Sequence, residues 1–438
     1  MAKHVVFLSI PHLRPQDVEK MASLTKLREQ GAAAALIPQF PALTWPVQAT
    51  MMTGVAPSEH GITANGLYRR DTDEVDMWTF WNKEIQAPQV WDKLREVSPQ
   101  TTTGSWFPLL TKGANVHYAM TPKPKHNPDG TETMWCYSRP EDLYEQLLPE
   151  HGHFPLHHFW GPLSSIKGSE WIVNSALSLF EREAPNFLYI YIPQLDYAAQ
   201  KTGPDSPEAM ERVRELDELL EKFFARLHEL ADDLEIIVAG EYVITPVSNP
   251  VYPNRLLREA GFLALGEEEN GRELLLTGKS KAWALCDHQI AHVYVKDADV
   301  EQVAAVFRGV RGIEHVLVGD AKKEWGIDHP NSGEIVLVSD ADSWFAYPWW
   351  LDDAKAPSFA ATVDIHRKPG YDPVELFLDP ATRKIPLDAS LVKGSHGRVT
   401  DDPSLHTVLI SSRPRQLPEQ LHQREIPGII FDALDISI

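Results

Sequence analysis

Residues 40–68, FPALTWPVQATMMTGVAPSEHGITANGLY, place polar groups where a plain core segment would be apolar. Thr44 stands beside Trp45 and Pro46, and a second threonine, a glycine and a His-Gly pair follow before Asn65-Gly66. A hydroxyl at a strand end with a helix N-terminus behind it is placed to meet an anion, because unpaired N–H groups and the helix dipole converge there. The same position suits an ordinary helix cap, so nucleophile and cap both stand as readings of Thr44. Two later apolar runs, FLYIYIP at 187–193 and LEIIVAG at 234–240, lead to Asp196 and Glu241. Carboxylates at two successive strand ends form an arrangement able to bind a metal ion. His396 lies in Gly394-Ser395-His396-Gly397, where glycines let the backbone approach closely and aim one imidazole outward, or simply make a turn. His288 and His292 lie four apart, which on a strand puts both on one face; a pair without a third ligand reads as structural.

The elements that must position these groups alternate. VVFLSI at 5–10 reads as a buried strand, 15–30 carries helical spacing ending at Gly31, and AAAALIP delivers the chain to Thr44. Strand, helix, strand in that order favours a parallel sheet with right-handed crossovers. Pro11-His12 and Thr44 then gather at the carboxyl edge, where open α/β folds bind ligands. Helices are expected at 85–96, 169–183 and 206–230, and TTTGSWFPLL leads back toward the sheet. Residues 111–168, rich in His, Trp and Pro with a turn signal at 126–130, read as a loop-rich insertion, either a pocket-lining lid or a segment packed on the core. Residues 265–345 read as a small inserted α+β cap, leaving 1–264 and 346–438 as the core. The acids, His and bases of 364–373 suit a substrate-recognition loop or an ion-paired turn.

A chain of 438 residues, 43% hydrophobic and 24% charged, suits one large α/β domain with insertions or two domains. The formal net charge of −21 argues against a nucleic-acid polymer as partner, since phosphates would be repelled. A small anion remains compatible if positive charge is focused locally. The start of the chain is too short and too quickly polar for a signal peptide, and no run approaches a membrane span. Cys136 and Cys286, far apart, read as reduced thiols or small buried hydrophobes, and the expected address is cytoplasmic.

The order of elements and the stretch 40–66 resemble the nucleotide pyrophosphatase/phosphodiesterase branch of the alkaline phosphatase superfamily. The resemblance rests on Thr44-Trp45-Pro46 and the downstream TGVAPSEHGI, and it extends over nearly the whole chain. It implies a three-layer α/β core, with a central mostly parallel sheet flanked by helices. It further implies Thr44 as nucleophile and Asn65 as holder of a phosphoryl oxygen. That family binds two zinc ions through an Asp after the first strand, an Asp-x-x-x-His pair, an Asp-His-Gly and a Gly-x-His-Gly histidine. Asp196 and His396 match, but Gln200 replaces the pair's histidine and Pro11, followed by His12, replaces the first aspartate. Gly240-Glu241-Tyr242 stands where Asp-His-Gly would.

The expected ligand set is thus Asp196 and His396, with Glu241, His12 and Gln200 as substitutes, holding one or two divalent ions, zinc or manganese. An oxygen-rich set favours manganese or magnesium over zinc. The resemblance implies hydrolysis of a phosphodiester or pyrophosphate in a small phosphorylated substrate. The alternative is a member that binds a phosphorylated or polyol metabolite without hydrolysing it. With ligands missing, Lys112, Arg367 and Lys368 are the bases placed to supply charge, unless they are solvated. Composition and spacing leave the oligomeric state open.

Overall fold

The computed structural model describes residues 3–126, 132–399 and 402–437. Apolar runs too continuous to leave either face in water become the central strands of one sheet. Its nine strands run in the order Gln420–His422, Ala32–Ile37, Thr407–Ser411, Leu234–Gly240, His4–Ile10, Phe187–Tyr191, Thr103–Trp106, Tyr118–Pro122 and Cys136–Arg139. The inner pairings His4–Ile10 with Phe187–Tyr191 and with Leu234–Gly240, and Phe187–Tyr191 with Thr103–Trp106, are parallel. Thr407–Ser411 and Cys136–Arg139 run antiparallel to their neighbours.

Alternation along each strand divides the core between the faces. Val6, Leu8 and Ile10 pack with the helices Ala22–Gln30, Ile166–Glu183 and Pro207–Leu230. Val5 and Phe7 pack with Thr44–Thr53, Val90–Val97 and Ile426–Ala433. Helix, sheet and helix give the expected three layers. Among the described residues, no helix is long and apolar enough to cross a membrane.

Residues 111–168, expected to be loop-rich, supply the last two strands of the sheet and the helix Leu143–His151. Their Tyr, Met and Cys side chains read poorly as strands because the segments are short and interrupted by proline. The turn signal at 126–130 falls, beyond His126, outside the described residues. Within 265–345 the strands Ala282–Asp287, Ile290–Val295, Ile335–Ser339 and Ile313–Val318 form a separate antiparallel sheet, in that order. The two-residue turn joining the first two strands points at the carboxyl edge of the main sheet. Gln289 N–H donates to the His396 carbonyl there at 2.9 Å.

Candidate active site

Thr44 opens the helix Thr44–Thr53 directly above the sheet's carboxyl edge. Leu43 before it is extended and offers no side-chain cap. The helix start is instead pinned by Asn65, whose Oδ1 accepts from the Trp45 N–H at 3.0 Å. Pro46 has no N–H to satisfy, and the Val47 N–H goes to the Leu43 carbonyl at 3.0 Å. Asn65 is itself held by Asp287 of the inserted sheet, through its backbone N–H at 2.7 Å and its Nδ2 at 3.1 Å. Asn65 is fully buried and does not line the cavity, so its placement is that of a splint behind the helix start.

The Thr44 hydroxyl lies 3.0 Å from the Tyr242 hydroxyl, which donates to Asp196 Oδ1 at 3.2 Å. Asp196 Oδ2 accepts from Gln200 Nε2 at 2.9 Å, and Gln200 Oε1 accepts from the Tyr371 hydroxyl at 3.0 Å. Asp196 and Gln200 meet because they sit four apart on one helix, Asp196–Thr202. Burial pushes the Asp196 carboxyl up to about 6, against the opposing pull of His288 and of the bonds from Gln200 and Tyr242.

His396 stacks face to face on Tyr242 with ring centres 3.8 Å apart. His288 lies 3.9 Å from His396 and stacks at 4.3 Å on Tyr371. The His396 Nδ1–H donates to the Ala42 carbonyl at 2.7 Å, and burial, reinforced by His288, holds the ring neutral well below the ordinary histidine range. Its Nε2 is therefore an acceptor. His288 occupies the turn of the inserted hairpin at φ +58°, with its Nδ1–H on Asp287 at 2.7 Å. His292 is bonded to the Thr63 carbonyl and the Gly333 N–H deep in the inserted sheet. The pair expected on one strand face is thus split, because a turn intervenes after Asp287.

These groups wall a cavity of about 610 Å³. Thr44, Asp196, Gln200 and His396 line it, with Tyr242, His288, Tyr371 and a rim that includes Trp78, Phe159 and Trp160. Among the described residues, its lining contains the acids Asp196, Asp364 and Glu375 but no lysine or arginine. Lys112 lies over the Trp81 ring, and Arg367 pairs with Asp364 at 2.5 Å. Lys368 is buried against Asp372 at 2.8 Å and Glu375 at 2.6 Å. None of the three bases expected to supply charge lines the cavity. The 364–373 stretch does reach it, through Asp364, Ile365, His366 and Tyr371.

Glu241 and His12 stand behind the wall. Glu241 is fully buried; Oε1 accepts from Ser9 Oγ at 2.8 Å and Gln48 Nε2 at 2.9 Å, and Oε2 has no partner. Burial pushes its carboxyl up to about 8. His12 accepts the Ile244 N–H on Nδ1 at 2.9 Å, and burial holds it neutral.

The donor set implied by the family resemblance does not fit these side chains. A metal centre needs several anionic or neutral donors converging with free lone pairs. Each Asp196 oxygen already accepts a hydrogen bond, and neither Glu241 nor His12 lines the cavity. Among the described residues, no three His, Cys, Asp or Glu side chains are grouped so as to hold an ion. Tyr242 and Tyr371 were not singled out from the sequence, and His288 was read there only as half of a structural pair with His292. The replacement of Asp-His-Gly by Gly240-Glu241-Tyr242 was the one signal available for Tyr242.

A mostly parallel sheet between helical layers, with a threonine-led helix at its carboxyl edge, is the alkaline-phosphatase-like fold. The chain belongs to the type I phosphodiesterase / nucleotide pyrophosphatase family, whose model matches residues 5–372. It is 27% identical over 232 residues to an uncharacterised pyrophosphatase/phosphodiesterase of Schizosaccharomyces pombe, covering 51% of this chain and 39% of that protein. It is 25% identical over 299 residues to human ectonucleotide pyrophosphatase/phosphodiesterase family member 7, covering 65% and 58%. The chain therefore matches less than two thirds of these relatives' lengths. Among solved structures, phosphonoacetate hydrolase from Sinorhizobium meliloti 1021 with phosphonoacetate superposes with a TM-score of 0.66 at 18% identity, over 99% of this chain and 96% of that one. Murine ectonucleotide pyrophosphatase/phosphodiesterase 5 gives 0.64 at 15%, over 99% and 95%. At these identities the structural likeness establishes the fold.

Proposed function

We propose that this protein hydrolyses a small phosphorus ester, a phosphodiester in preference to a pyrophosphate, with Thr44 as the nucleophile. The observation that carries the reading is the Thr44 hydroxyl, at a helix start in the cavity, hydrogen-bonded to Tyr242 and through it to Asp196. The Thr44 oxygen attacks phosphorus, its proton passes to the Tyr242 oxygen, and the Tyr242 proton passes to the Asp196 carboxylate. The ester oxygen leaves and takes its proton from an entering water, the resulting hydroxide cleaves the Thr44 phosphoester at phosphorus, and the proton on Asp196 returns through Tyr242 to the Thr44 oxygen. Such positioned proton transfer contributes about 10²- to 10⁴-fold. A singly charged diester suits a cavity without lysine or arginine better than a multiply charged pyrophosphate. A reducing, cytoplasmic setting is supported by Cys136 and Cys286, both buried and unpaired.

The test is release of the aryl alcohol from a generic aryl phosphodiester, by wild type and by Thr44→Ala. Turnover in wild type and its loss in a folded Thr44→Ala protein is the expected outcome. Unchanged turnover in the variant sinks the nucleophile assignment. The missing cation in the cavity lining favours one second reading, a protein that binds a phosphorylated or polyol metabolite without cleaving it. Saturable ligand binding in wild type and Thr44→Ala alike, with no aryl release by either, selects that reading.

A further inference from the structure

A threonine hydroxyl is a weak nucleophile until something orients it and draws on its proton. Two chains of contact converge on that hydroxyl here. The hydrogen-bonded chain runs Tyr242, Asp196, Gln200, Tyr371, with separations of 3.2, 2.9 and 3.0 Å. The ring column runs Tyr242, His396, His288, Tyr371, with centroid separations of 3.8, 3.9 and 4.3 Å. The two chains begin and end on the same tyrosines, so the six side chains form a closed circuit. Hydrogen-bond directions around it are fixed. The Tyr242 hydrogen goes to Asp196, so Thr44 donates to the Tyr242 oxygen. Gln200 spends its NH₂ on the carboxylate and its carbonyl on Tyr371. An ion on Asp196 would compete with the Tyr242 hydroxyl at Oδ1 and with the Gln200 amide at Oδ2.

We propose that this closed circuit replaces a metal centre: Tyr242 orients the Thr44 hydroxyl and relays its proton, Gln200 is a positioning residue that holds Asp196 in place, and the site takes no divalent ion. The orienting half of the claim rests on the Thr44 reading above, whereas the metal-free half does not. A satisfied buried network of this kind is rigid, because each member constrains the next.

The experiment uses the untagged full chain, produced in medium containing zinc and manganese. Elemental analysis is expected to give far less than one ion per chain, and the melting temperature is expected not to move with EDTA, zinc or manganese. One ion or more per chain, with a melting temperature that falls on chelation, overturns the proposal whether or not any ester is turned over. The double variant Gln200→His with Tyr242→His reopens the circuit, and it is expected to take up zinc and to gain melting temperature from it. A folded double variant as metal-free as wild type overturns the assignment to these two residues. Tyr242→Phe is expected to lower kcat on the aryl phosphodiester at least tenfold with KM little changed. An unchanged kcat overturns the role of Tyr242 in orienting Thr44 and relaying its proton.

Discussion

Glu241→Gln tests the electrostatics of the site edge quantitatively. The carboxyl is fully buried, has two donors on one oxygen and none on the other, and is pushed from the ordinary 4.5 up to about 8. Between those values the folded chain keeps a proton that the unfolded chain has lost. Stability therefore falls as pH rises through this window, and the contribution is constant below about 4.5 and above about 8. At about 1.4 kcal/mol per unit, a span of roughly 3.5 units amounts to about 5 kcal/mol. Glutamine preserves the shape and the acceptor oxygen but does not titrate. Urea unfolding of both proteins, followed by circular dichroism across that pH range, gives the difference directly. The variant should gain on wild type progressively, by about 5 kcal/mol over the whole window. Asp196 titrates in both proteins, so its own contribution cancels. Parallel stability curves for the two proteins would refute the claim that Glu241 is protonated when folded.

Asp196 must be ionised to accept the proton from Tyr242, so turnover should rise with pH through about 6 and level off above; a rate that is flat there removes Asp196 from that role. Lys368→Met strands Asp372 and Glu375 in the interior, and is expected to destabilise the fold by about 3–5 kcal/mol in denaturant titration. A loss near zero would mean that the loop stands without its buried cation. Gly370 has φ +128°, and an added Cβ would lie 1.9 Å from the Cys286 carbonyl. Gly370→Ala should displace Tyr371 from His288 and raise KM more than it lowers kcat, whereas unaltered kinetics would show that the loop does not shape the cavity.

The fold was legible because its cause is local. Continuous apolar runs at 5–10, 187–191 and 234–240 announce buried parallel strands, and helical spacing between them announces the crossovers. Thr44, Asp196 and His396 drew notice because each follows an element that the pattern marks, whereas Gln200 was singled out only through the family resemblance. Roles that depend on pairing across the chain were not legible. Asn65 was expected to hold phosphate, but its partner Asp287 lies 222 residues away and turns it into a splint. His288 belongs to the cavity because a turn in the inserted hairpin reaches the main sheet, and nothing in its neighbours' composition records that reach. Lys368 was read as a base near the site, yet its two acids at 372 and 375 draw it into the interior.

The splint between Asn65 and Asp287 has a consequence for how the molecule opens. The Trp45 amide is closed by Asn65, the Asn65 amide by Asp287, and the Gln289 amide by His396. Fluctuations that expose these three amides are therefore shared between the nucleophile's helix and the inserted hairpin, although more than two hundred residues separate them in sequence. In native-state hydrogen exchange they should behave as one cooperative unit, with closely similar opening free energies. The inserted sheet sets how long the threonine stays in register with the cavity, so a change far out on that sheet would first be felt as a change in how often the site is assembled.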